Sequence, residues 1–374
     1  MKGQLGKRTG KALSLLLFIC LFSGGSGSSL VAQNPADQDD EVIRVDTDLT
    51  NLFFTVTNKQ KAFVTTLREE DLRIIEDGVP QKILTFQRET DRPLSIAFLI
   101  DVSISEERTL PQEKAAARTF IEKVIHSSKD QAAIIPFTGA AFLEQGLTRD
   151  VLSIYRALER VDVALPAYLG SGKPISGIAS GPGMKAPGDE GSTAIWDAIA
   201  VTASEVLARS SDPKVIGRLT RDKQSPASAR RETNQAPTQR RNAIILLTDG
   251  QDTTSRVLRS EAINRALAAE TVIYAIGIGD KKYGVDQSAL NNVATATGGR
   301  AFFPKRDTDL TDAFAEIEQE LRSQYLIAYS PSNKNRDGSY RQMQIEITNP
   351  ELQKEQLKFR HRPGYFAKVQ TPGR

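Results

Sequence analysis

Cysteine is nearly missing from this chain: Cys20 is the only one among 374 residues, and it falls in an N-terminal apolar run. Disulfides therefore cannot hold the fold, and a hydrophobic core must. Histidine is as scarce, with only His126 and His361. His126 ends a helical stretch, where a cation suits the helix dipole, and His361 is read as part of a basic tail. Neither stands near a serine-nucleophile pattern, which argues against a histidine-dependent hydrolase. An excess of either charge is also lacking: the formal net charge is +3, so no global field draws in nucleic acid. No apolar run reaches the ~20 residues of a comfortable membrane span. What remains is ordinary, with 39% hydrophobic and 25% charged residues. That is the make-up of a globular chain long enough for one large domain and a smaller one.

The N-terminus reads as a secretory signal. Residues 1–11 carry four basic side chains and no acid, residues 12–22 are apolar, and small and polar residues follow. Val31-Ala32-Gln33 is a suitable cleavage point, which removes residues 1–32. An uncleaved anchor is the alternative. A lipoprotein reading through Cys20 is disfavoured by Ile19, bulky where a small residue is wanted. Export to the periplasm or the extracellular space follows, with no transmembrane segment in the mature chain.

Residues 33–41 are polar and acidic, a flexible leader. Residues 42–90 form an N-terminal β segment: 42–45 and 52–57 are β-rich, 72–76 alternate, and Asp77-Gly78 is a favoured hairpin pair. From Pro93 the pattern turns to β-α-β. Leu94 to Ile100 is almost continuously apolar, as in a strand covered on both faces. Helical periodicity marks 111–127, 151–161, 192–209, 255–270, 287–297 and 307–323, with strands at 131–137, 242–248, 271–277 and 300–303 and an edge strand at 141–147. Residues 164–190 are rich in Gly, Pro and Ser and read as a long loop. The polar stretch 210–241 reads as a disordered insertion. Strands resume over 324–366 in a C-terminal β segment, and 367–374 is a tail. The fold class is α/β: a doubly wound, mostly parallel sheet over residues 91–323, with a small antiparallel β domain formed from both flanking segments.

Three loops of the α/β part end in oxygen-bearing side chains. Asp101-Val102-Ser103-Ile104-Ser105 directly follows the first buried strand. Thr248-Asp249-Gly250 follows the second in the same way, and Gly191-Ser192-Thr193 opens a helix. Open parallel sheets bind ligands beyond the carboxyl ends of their strands, where strand order reverses. Asp101, Ser103, Ser105, Thr193 and Asp249 make a hard-oxygen set without His or Cys. Such a set suits Mg²⁺, or Mn²⁺ or Ca²⁺, rather than zinc or copper. With few charged ligands, the ion could accept one more anionic oxygen from a partner.

In order and in placement, these motifs resemble the metal-ion-dependent adhesion site of von Willebrand factor type A domains. The resemblance covers roughly residues 93–323. It implies that Ser103, Ser105 and Thr193 ligate the metal directly, while Asp101 and Asp249 act mainly through bound water. It also implies a non-enzymatic binding or adhesion role, with a protein partner that offers an exposed Asp or Glu. Residues 43–47 (IRVDT), 70–81 (EDLRIIEDGVPQ) and 325–331 (YLIAYSP) further resemble a secreted bacterial subfamily of acidobacterial type. Ile104 departs from the family, many members having Gly there. Glu106 either adds negative charge beside the site or points to solvent.

Other readings compete. Ser and Asp at helix starts are also ordinary N-caps that need no metal, and Ser192 competes with Thr193 on that ground. Gly170-Ser171-Gly172-Lys173 fails as a phosphate loop, because Ala167 stands where the first Gly belongs and Pro174 where Ser or Thr is required. Nine Arg or Lys against three acids between Arg209 and Arg241 form a solvated loop or a contact for an anionic surface, without aromatics for base stacking. The acid pairs Glu69-Glu70 and Glu106-Glu107 read as solvated faces. A structural subunit of a cell-envelope assembly, with a stabilising or vestigial metal, is the alternative function. An enzyme ranks third, with Glu106 the only candidate base.

Overall fold

A computed structural model describes residues 49–88, 92–163, 173–174, 192–208, 240–248, 251–279 and 285–369. The expected signal segment, the leader, the run 42–45, nearly all of the loop 164–190, most of the basic insertion and Asp249 lie outside these residues. No described helix is long and apolar enough to cross a membrane.

In chain order the strands are β1 (Thr50–Thr57), β2 (Leu72–Glu76), β3 (Val79–Gln81), β4 (Ile83–Arg88), β5 (Leu94–Asp101), β6 (Gln131–Phe137), β7 (Phe142–Leu143), β8 (Gln145–Thr148), β9 (Lys173–Pro174), β10 (Arg241–Thr248), β11 (Thr271–Gly277), β12 (Ala301–Phe302), β13 (Tyr325–Tyr329), β14 (Tyr340–Ile347), β15 (Lys358–His361) and β16 (Gly364–Phe366). The helices are α1 (Leu110–Val124), α2 (Val151–Arg160), α3 (Ile195–Val201), α4 (Arg259–Ala268), α5 (Gln287–Ala296), α6 (Asp307–Arg322) and α7 (Pro350–Lys354).

The central sheet has the order β12-β11-β10-β5-β6-β8. All of its pairings are parallel except β6 with the edge strand β8. The alternation of strand side chains sorts the core into two layers. Ile96, Phe98 and Ile100 of β5 meet Phe120 of α1, Ile154 of α2 and Phe314 and Ile317 of α6. Ala97 and Leu99 of the same strand meet Ile199 of α3, Ala266 of α4 and Leu290 of α5. Both faces of β5 and β10 are therefore covered, which is why their sequences read as unbroken apolar runs. From β5 the chain winds to β6 on one side, and from β10 to β11 and β12 on the other. The reversal falls between β5 and β10.

The flanking segments join through β1, which pairs antiparallel with β13 and with β15. They build two four-stranded sheets, β15-β1-β13-β4 and β16-β14-β2-β3. Leu52, Phe54, Tyr325 and Ile327 of the first share one core with Leu72, Ile74 and Met343 of the second. This is a small two-layer sandwich, richer than the single sheet expected. A second layer covers the apolar face that one sheet would leave wet. The hairpin pair Asp77 and Gly78 has φ of 47° and 80°, as a tight turn with both central residues left-handed requires.

Several sequence expectations change. His361 is on β15, paired with Phe54, and is not part of a tail. Burial holds its imidazole below the usual value. The expected helix 192–209 is shorter at its start and changes pitch: α3 begins at Ile195 and Thr202–Leu207 form a π turn. Lys173 and Pro174, within the expected loop, pair with Phe142 and Leu143. The last two arginines of the basic stretch are structural. Arg240 donates to Ser95 Oγ (2.7 Å) and to the carbonyl of Lys129 (2.9 Å). Arg241 is buried in β10 and donates to the carbonyl of Leu321 (2.6 Å).

Candidate metal centre

Asp101 is the last residue of β5 and is 0% exposed. Its two oxygens are held separately. Oδ1 accepts from the Ser103 backbone N–H at 3.0 Å, and Oδ2 accepts from the Thr248 hydroxyl at 2.6 Å. Thr248 ends β10, so this second bond ties the two strands at the reversal. Two residues on, the Ser103 and Ser105 hydroxyl oxygens are 3.0 Å apart. The loop then enters a short 3₁₀ turn, Ile104–Glu106. Ile104 lies between the two serines and is 54% exposed.

Thr193 reaches the same sheet edge through its neighbours. Val102 N–H donates to the Phe137 carbonyl at 2.9 Å, which places the end of β6 beside the Asp101 loop. The next residue, Thr138, accepts from Ala194 N–H at 2.8 Å. Ser192 lies against Gly139, where an added Cβ would come within 2.6 Å of the Ser192 oxygen. From the other side, Thr193 N–H donates to Thr253 Oγ1 at 2.9 Å, and Thr253 N–H returns a bond to the Thr193 carbonyl at 2.8 Å. Thr193 is buried. It stands two residues before Ile195, the first residue of α3, and does not itself begin the helix.

Neither Ser192 nor Thr193 caps α3. Asp252 does, from the loop after β10. Its Oδ1 accepts from Ile195 N–H at 2.7 Å and from the Ser255 hydroxyl at 2.5 Å. Ser255 Oγ also accepts from Trp196 N–H at 3.0 Å. A carboxylate here completes the free N–H groups of the first turn. Burial pushes the Asp252 carboxyl above its usual value, while the bonds from Ser255, Trp196 and Ile195 oppose the shift. Sequence reading missed Asp252, since it precedes no helix of its own and acts on residues ~57 positions earlier. Thr248 was missed too: it was read only as part of the Thr-Asp-Gly run.

Glu106 does not point to solvent. It is 1% exposed, and its Oε2 accepts from the Thr109 hydroxyl three residues on. Of the pair Glu106-Glu107, only Glu107 is exposed. Among the described residues no group of three or more His, Cys, Asp or Glu is placed to hold a metal. The candidate centre instead combines hydroxyls with single carboxylates: Asp101, Ser103, Ser105 and Thr193 share one edge, and Asp249 lies outside the described residues.

Residues 188–316 match the model of the von Willebrand factor type A domain. The chain thus contains a VWA domain. The match spans 316 − 188 + 1 = 129 of the 374 residues, about a third of the chain. Comparison with curated proteins finds no match. Among solved structures, proximal thread matrix protein 1 from the mussel byssus is similar at 18% identity and a TM-score of 0.44, over 66% of this chain and 50% of that one. The chain therefore spans half the length of the mussel protein. BatB from Bacteroides thetaiotaomicron is similar at 16% identity and a TM-score of 0.39, over 61% of this chain and 97% of that one. A von Willebrand factor type A protein from Catenulispora acidiphila is similar at 12% identity and a TM-score of 0.43, over 87% and 76%.

Proposed function

We propose that this chain is an exported, non-enzymatic binding protein whose VWA domain holds one divalent cation and captures an acidic group of a protein partner. Ser103, Ser105 and Thr193 would hold the ion through their hydroxyl oxygens, with Asp101 and Asp249 as carboxylates behind bound water. The observation that carries this reading is the serine pair. Neighbouring ligands in an octahedron of ~2.1 Å metal–oxygen bonds lie about 2.9 Å apart; the Ser103 and Ser105 oxygens are 3.0 Å apart. Without an ion, the two hydroxyls share a hydrogen bond at that same spacing.

The ion's part is to accept an anionic oxygen from outside. The chain's part is to keep the donor set in place beforehand. Asp101 is fixed at both oxygens, and the Thr193 turn is clamped between Thr138 and the Thr253 loop. Hydroxyl ligands are neutral, so the ion keeps most of its charge for a partner carboxylate. Mg²⁺ suits this all-oxygen set, with Mn²⁺ or Ca²⁺ as substitutes.

The segments 43–47, 70–81 and 325–331 support membership of the secreted bacterial subfamily that they resemble, and the N-terminal basic and apolar run supports export. The test is capture from a native extract by the full chain in Mg²⁺ and in chelator, repeated with Asp101→Ala. The reading expects partner capture that needs both the ion and Asp101. Metal-stabilised folding without metal-dependent capture would favour a structural envelope subunit instead.

A further inference from the structure

The VWA domain and the sandwich enclose a second candidate site at the opposite edge of the central sheet. Helix α4 ends there, at Ala268, and β11 begins at Thr271. A cleft of about 330 Å³ opens between the end of α4 and the sandwich loops 331–341 and 362–368. That volume is at the lower end for a small-molecule pocket. Five cations line it, Lys334, Arg336, Arg341, Arg362 and Lys368, against one acid, Glu270.

Two of these cations are built in. Arg341 is 2% exposed and anchored by Glu76 and by the carbonyls of Asn333 and Asn335. Arg362 is half-buried, and its Nη2 donates to the Asn51 carbonyl at 2.7 Å. In both arginines the Nε is buried and no protein group accepts from it. Burial draws the Arg362 guanidinium below its usual value, with Glu270 the main opposing charge and Tyr329, Tyr365 and Tyr340 adding to it. Arg362 is thus a partly desolvated cation in a cleft whose lining holds one acid, Glu270. Buried charge of this kind is stabilised by a hydrogen-bonding counter-charge. The rim adds a different chemistry, because Leu49 and Phe366 both line the cleft and are exposed.

We propose that this cleft binds a metabolite-sized organic anion, a carboxylate or phosphate with an apolar body. Its charged end accepts from Arg362, with Lys334 and Lys368 as the exposed cations of the cleft, and its apolar part lies on Leu49 and Phe366. The site is separate from the VWA metal centre and does not depend on it.

Titration calorimetry on the full chain in chelator tests this, with phenyl phosphate, inorganic phosphate and benzyl alcohol as probes at constant ionic strength. Phenyl phosphate should bind once per chain, about fivefold or more tighter than inorganic phosphate, and benzyl alcohol should not bind measurably. Arg362→Gln should weaken phenyl phosphate about tenfold or more. Lys334 and Lys368 are exposed, so the double variant Lys334→Gln/Lys368→Gln should keep the wild-type thermal midpoint and weaken binding about two- to fivefold. Absence of saturable anion binding at millimolar concentration would overturn the proposal. So would equal binding of benzyl alcohol, or anion affinity unchanged in the lysine double variant.

Discussion

Replacing Asp252 separates the two things this carboxylate does: it accepts hydrogen bonds and it carries charge. In Asp252→Ala the Ile195 N–H loses its 2.7 Å partner and the Ser255 hydroxyl loses its own. Loss of an N-cap acceptor costs roughly 1–2 kcal/mol. In Asp252→Asn the Oδ1 remains in place and only the charge goes. Because burial raises the folded carboxyl above its usual 3.8, ionisation works against the folded state. The protonated carboxyl therefore contributes stability that is present below the unfolded value and is lost as pH rises through the folded one. Asp252→Asn should therefore stay within about 0.5 kcal/mol of the parent and gain on it as pH climbs through that window. Urea unfolding at several pH values measures both variants. The turn holding Thr193 hangs on the same loop, so Asp252→Ala should also weaken Mg²⁺ binding while Asp252→Asn does so far less. If Asp252→Asn destabilises as much as Asp252→Ala at every pH, the cap acts through charge and the reasoning is wrong.

Other outcomes follow from the same structure. Arg341 and Glu76 are each 2% exposed and 3.3 Å apart, with Tyr329 and Tyr365 hydroxyls donating to Glu76. Glu76→Ala leaves a buried guanidinium and should cost about 3–5 kcal/mol in chemical denaturation. Gly298 has φ of +88°, and an added Cβ would lie 2.8 Å from the Arg362 backbone nitrogen. Gly298→Ala should lower stability by roughly 1–3 kcal/mol, whereas a Gly146→Ala control, whose nearest neighbour is 3.8 Å away, should cost under about 1 kcal/mol. Thr248→Val removes a bond that orients Asp101. It should weaken Mg²⁺ binding about three- to tenfold in a calorimetric titration while the fold persists.

The parts of the fold legible in the sequence are those that tertiary contacts reinforce along a single segment. β5 and β10 show themselves because burial on both faces leaves only apolar side chains. The placement of Asp101, Ser103 and Ser105 at the carboxyl edge of the sheet was legible because they stand directly at the end of such a strand. Contacts between distant segments were not legible. Asp252 caps a helix across 57 positions of sequence, and Thr248 matters through a strand that precedes it by 147. Glu106 looked like a surface acid because only the folded loop brings Thr109 to it. Arg240 and Arg241 looked like part of a basic insertion, since nothing local announces that their acceptors are the carbonyls of Lys129 and Leu321. The second sheet of the sandwich was hidden for the same reason: β2 and β14 are separated by the whole VWA domain.

The most direct test of the metal centre is Mg²⁺ titration calorimetry of the full chain beside Asp101→Asn. Asn keeps the shape and the acceptor that meets Ser103 N–H, so its circular dichroism and thermal midpoint without metal should match the parent. One Mg²⁺ should bind per chain in the parent, with no saturable binding in Asp101→Asn. Equal stoichiometry and affinity in the two proteins would contradict the proposed metal centre.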